Sequence, residues 1–134
     1  RYLVAARESD YPAMFWAPAD ERLDRWMAMY KAVAGRNGAE VAAGRRLLGW
    51  ARRAGLSDVT YTTSTWTFAT PDDRARWAEM WAERSTATNL AAQAVEYGVA
   101  SEADLAGIAE GWRAWAADPG AIFTVVHGEI VVRV

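Results

Sequence analysis

His127 is the only histidine in the chain, and cysteine is absent. A zinc site made of imidazoles and thiolates therefore lacks ligands, and disulfides are excluded. His127 sits beside Gly128 in "AIFTVVHGEIVVRV". A lone imidazole in such a strand reads first as a packed or edge residue. Carboxylates are plentiful. Asp72 and Asp73 follow Thr70-Pro71 and suit the first turn of a helix, where the positive end of the dipole favours acids. Glu79 and Glu83 lie one turn apart and read as a solvated face. Glu8 and Asp10 differ, because they follow a short apolar run, Tyr2–Ala6. In open α/β sheets ligands gather at the carboxyl ends of strands. The pair is thus a candidate binding edge, beside the plainer reading of a solvated loop. Arg45, Arg46, Arg52 and Arg53 could form an anion site, but the net charge of −2 favours a solvated face. No glycine-rich turn joins a strand to a helix, and no G-x-S-x-G elbow occurs, so neither a phosphate cradle nor a hydrolase triad is supported.

Eight tryptophans are the unusual feature of the composition. Trp77/Trp81 and Trp112/Trp115 recur at helical spacing and belong to a core. Trp16 lies between Pro12 and Pro18, and Trp66 lies near the end of a strand. Both are candidates for ligand contact, with Trp16 expected to be the most accessible of the eight.

These residues need elements to hold them. Tyr2–Ala6 reads as a strand covered on both faces. The polar-aromatic stretch to Pro18, broken by Pro12 and Pro18, reads as a loop with some extended character. Asp20 caps a helix whose stripe is Leu23, Trp26, Met27, Tyr30 and Val33, ended by the glycines of "GRNG". A second helix runs roughly from Val41 to Ala54. "DVTYTTSTWTFAT" is a strand, with Thr62, Ser64, Trp66 and Phe68 on one face and Val59, Tyr61, Thr63 and Thr65 on the other. Thr70 caps a third helix. A fourth stops at Gly98, and a fifth opens with a capping box at Ser101 and Asp104. The last strand runs to the C-terminus, with Gly128 expected as a bulge.

The length, 134 residues, suits one domain, and the hydrophobic fraction of 52% supplies a core. The charge balance favours neither nucleic acid nor a basic membrane surface. No apolar run spans a bilayer. Together with the lack of cysteine, this leads to the expectation of a cytoplasmic protein.

Four stretches carry a resemblance: "VAARESDYPAMFW", "GRRLLGWARRAGLSDV", "TWTFATPDDRARWAEMWAERS" and "GWRAWAADPGAIFTVVHGEIVVRV". Together they resemble the C-terminal part of class I S-adenosylmethionine-dependent methyltransferases, of the small-molecule type found in actinobacteria. The resemblance implies an α/β fold with part of a Rossmann-like sheet. Residues 2–6, 59–68 and 122–134 resemble its strands five, six and seven, and the last lies antiparallel between the other two. Residues 1–134 would be one domain, with a helical insertion at about 71–118. The resemblance implies that Arg7, Asp10, Tyr11 and Trp16 face a small-molecule methyl acceptor. S-adenosylmethionine is implied for the complete enzyme. The glycine-rich loop and ribose-binding acid that hold it have no counterpart in this chain, so no cofactor is expected for the chain alone, and no catalysis. The other reading is a non-catalytic α/β module that binds a ligand or partner. An opening strand lacking its neighbour would be an unprotected edge. The expectation is a homodimer, or pairing with a missing N-terminal half, which proline at Val4 should weaken.

Overall fold

The computed structural model describes residues 2–134. Among these residues there are four strands and five α-helices: β1 (Leu3–Ser9), β2 (Phe15–Ala17), α1 (Glu21–Arg36), α2 (Ala43–Arg53), β3 (Val59–Phe68), α3 (Pro71–Arg84), α4 (Asn89–Glu96), α5 (Glu102–Ala117) and β4 (Ile122–Arg133). A 3-10 turn, Tyr11–Ala13, separates β1 from β2. The fold is α/β, and its strands form one antiparallel open sheet. β4 pairs with β1, β2 and β3. As the resemblance implies, the last strand lies antiparallel between the opening strand and β3.

The chain divides into two compact units. One holds residues 2–15, 40–67 and 124–134; the other holds 16–39 and 68–123. The helical insertion expected at 71–118 falls within the second unit, which also takes in α1.

In the first unit, β1 and β4 pair in one unbroken register from Leu3↔Arg133 to Ser9↔His127. Three expectations change here. The opening strand continues through Arg7 and Glu8 to Ser9, because a long antiparallel partner extends its ladder. Gly128 pairs with Glu8 in regular register, so it is no bulge. β1 is not covered on both faces: it is an edge strand, and Leu3 is 69% exposed. One face of this sheet packs against α2. Leu47 and Ala51 of α2 pack there with Ile130 and Val132, joined by Ala6, Val59 and Tyr61. The alternation read for β3 holds, since Val59 and Tyr61 point to this core. α2 ends at Gly55, whose φ of +87° suits glycine, and Leu56 N–H returns to the Ala51 carbonyl.

The second unit is helical, and its helices start where the caps were read. Asp20 accepts from Arg22 N–H, and Thr70 Oγ1 accepts from Asp73 N–H. Ser101 and Asp104 form a reciprocal capping box. α3, α4 and α1 pack on α5. Their apolar stripes bury Trp26, Trp81, Trp112 and Trp115 around Phe123. Trp81 and Trp112 each meet Trp26 edge-on, with ring centres 4.8 and 4.9 Å apart, an arrangement that suits the aromatic quadrupole. α1 approaches α5 at Gly111, where a Cβ would stand 2.5 Å from that of Arg22. Arg74 is buried and ties the chain before α3 to the end of α5 by donating to the Ala69 and Ala116 carbonyls. No helix among the described residues is long and apolar enough to cross a membrane.

Candidate functional site

Both β1 and β3 run antiparallel to β4, so they point the same way, and their carboxyl ends lie at one edge of the sheet. In α/β sheets that edge is the usual place for ligands. Ser9, the last residue of β1, stands opposite His127. The sheet face turned away from α2 here carries Arg7 from β1, His127 and Glu129 from β4, and Ser64 and Trp66 from β3.

Arg7 and Glu129 are direct cross-strand partners. Arg7 Nε donates to Glu129 Oε2 at 2.7 Å, and Nη2 lies 2.6 Å from the same oxygen. The Arg7 guanidinium holds the Glu129 carboxyl below its usual range. His127 is only 3% exposed. The Trp66 indole lies over it, with ring centres 4.4 Å apart and planes tilted by 57°. Burial first, and then the Arg7 charge, push the His127 imidazole below the usual histidine range, while the Ser64 backbone and the Glu129 charge oppose them. His127 Nδ1 is buried without a hydrogen-bond partner. Trp66 itself is 50% exposed. A neutral, buried base thus sits beneath a half-open aromatic cover, next to a carboxylate locked by arginine.

Asp10 follows the end of β1. It is 4% exposed rather than solvated. Arg45 of α2 grips it with two bonds, Nε to Oδ2 at 2.6 Å and Nη2 to Oδ1 at 2.7 Å. This bidentate contact lowers the Asp10 carboxyl below its ordinary value, and burial only partly opposes it. Arg45 is therefore no member of a merely solvated positive face.

The sequence-derived site residues are not gathered around one centre. Arg7 is committed to Glu129 and Asp10 to Arg45. Tyr11 is half-buried in the 3-10 turn, where its N–H bonds the Val41 carbonyl. Trp16 lies in β2, half-buried, stacked on Phe123 with ring centres 5.6 Å apart and planes within 2°. It is not the most accessible tryptophan, because both Trp66 and Trp50 are exposed. The stretch around it, read as a loop with some extended character, forms a short strand against β4. The residues that sequence reasoning passed over are His127, Ser64 and Glu129. Their signal was the alternation of two strands known to be neighbours, which puts all three on the face of Trp66.

S-adenosylmethionine, the implied cofactor, needs a holder for its carboxylate and its ribose. The N-terminus of α3 is closed by Thr70 and lined by Asp72 and Asp73, which repel an anion. Gly44, in the first turn of α2, has no open space: a Cβ there would lie 2.7 Å from the Glu8 oxygen and 2.8 Å from the Gly128 nitrogen. The residues present do not fit the cofactor, and no step through it is assigned to them. Among the described residues no cluster of His, Asp and Glu could hold a metal ion. No family model matches the chain, and no curated protein is significantly similar to it.

Proposed function

We propose that the chain is the acceptor side of an S-adenosylmethionine-dependent methyltransferase acting on a small molecule. The observation that carries the reading is the strand order. β4 lies antiparallel between β1 and β3, which is the arrangement the resemblance implies for strands five, seven and six. The Trp66–His127 face at the shared carboxyl edge gives the acceptor a place: an exposed ring to stack on and a neutral imidazole beneath it. The cofactor's glycine-rich turn and ribose-binding acid would come from a segment other than these 134 residues, and the chain alone is proposed to be inactive.

Calorimetry tests the division of labour. The 134-residue chain should give no micromolar isotherm with S-adenosylmethionine. A panel of planar hydroxylated molecules should quench Trp66 emission. A clear micromolar isotherm with the cofactor, or quenching by no member of the panel, would overturn the reading.

A further inference from the structure

We propose that the cavity where α1, α3 and α4 meet binds a small monocarboxylate with an apolar body, and that Arg84 and Gln93 hold its carboxylate. The inference goes beyond the acceptor reading and stands without it.

Among the described residues three arginines are sheltered from solvent, and they differ in what they hold. Arg22 grips the Asp20 carboxylate, and Arg74 donates to two backbone carbonyls. Arg84, in the last turn of α3, has neither an ion pair nor a hydrogen-bond acceptor among these residues. Its guanidinium lies over the buried Trp81 ring, 4.5 Å from the ring centre, and its nitrogens remain accessible. Such stacking occupies the face of the guanidinium and leaves its in-plane N–H fork open. The ring also holds the fork in place, so a ligand has less ordering to impose.

Arg84 opens on a cavity of about 210 Å³. Val33, Leu90 and Tyr30 supply apolar wall, Asn37 and Gln93 supply polar wall, and no carboxylate of the described residues lines it. The acceptors of the polar wall are already used. Tyr97 OH donates to Asn37 Oδ1 at 2.7 Å, and Asn37 Nδ2 donates to Gln93 Oε1 at 3.0 Å. The Arg84 carbonyl accepts from Thr88 Oγ1 at 2.7 Å. What remains are donors, the Arg84 fork and the Gln93 amide nitrogen. Donors around one positive charge select an anion, and the fork matches the two oxygens of a carboxylate. Phosphate also fits the fork, but its other oxygens would face Val33 and Leu90, which offer no hydrogen bond. The volume equals about seven waters, so the ligand is small.

4-Fluorobenzoate is the probe, followed by its fluorine resonance as the 134-residue chain is added. Its shift should saturate. 4-Fluorobenzamide, of the same shape without the charge, should not. Arg84→Gln should weaken binding about tenfold or more, the usual weight of a charged hydrogen bond. Gln93→Glu places a carboxylate in the wall and should abolish saturation, and circular dichroism checks that each variant is folded. Inorganic phosphate at the concentration of the probe should displace little of it. The inference is overturned by no saturation in the parent chain, by equal binding of the amide, or by phosphate displacing half the probe. Unchanged affinity in folded Arg84→Gln or folded Gln93→Glu overturns it as well.

Discussion

Gly44 of α2 and Gly128 of β4 meet backbone to backbone. A Cβ on Gly128 would collide with the Gly44 carbonyl group and stand 2.6 Å from the Tyr61 hydroxyl, which itself donates to the Gly44 oxygen at 2.9 Å. The helix can lie this close to the sheet only because neither residue has a side chain. Gly128→Ala should therefore destabilise the chain by about 3 kcal/mol, the upper range for overpacking, since backbone rather than a flexible side chain must yield. Urea unfolding measures this. A midpoint like that of the parent chain would show that α2 is free to shift.

Asp10 gives a pH signature. Its carboxyl is held below the ordinary 3.8, first by the Arg45 hydrogen bonds. A group whose folded value is depressed stabilises the fold above its unfolded value and loses that contribution as pH falls through the folded one. Asp10→Asn should therefore be less stable than the parent at neutral pH. The gap should shrink as pH falls below about 4. A gap that stays constant down to strong acid would mean that the ion pair contributes nothing.

His127 acts in a different window. Its folded value also lies below the ordinary 6.5. The unfolded chain then takes up a proton where the folded chain does not. Stability should be full above about pH 6.5 and should fall as pH drops through and below that value. His127→Gln should flatten this slope between neutral and mildly acid pH. An unchanged slope in the variant would assign the dependence to other groups.

The free edge of β1 suggests association. Tyr2 and Val134 exchange both backbone bonds, and Asp10 N–H bonds the Val126 carbonyl. In an antiparallel ladder such pairs alternate, so Val4 also turns its N–H toward β4, while Leu3, Ala5 and Arg7 turn theirs outward. Proline at Val4, the change suggested by sequence alone, would thus break the β1–β4 ladder. Ala5→Pro is the informative change. It should leave the circular dichroism intact and shift light scattering from dimer toward monomer. A parent chain that is monomeric at high micromolar concentration would remove the edge as an interface.

Much of this was legible before any coordinates. Thr70, Ser101 and Asp20 cap helices through contacts a few residues away, and such contacts show in local sequence. The stripes that bury Trp81 and Trp112 follow from one period. What could not be read were pairings across long separations. Asp10 and Arg45 are 35 positions apart, and neither residue's neighbours hint at the other. β2 has three residues and exists because β4 offers it an edge. Ser9, His127 and Trp66 come from three strands, and their adjacency shows only once those strands are paired.

The central claim is methyl transfer to a small molecule, and labelled methyl transfer tests it most directly. The product of the complete reading frame that encodes this chain would be incubated with S-adenosylmethionine carrying a labelled methyl group and with planar hydroxylated molecules. The account predicts label in the small molecule. A folded product that neither binds S-adenosylmethionine nor labels any such molecule would contradict it, and would leave the α/β scaffold as a binding module.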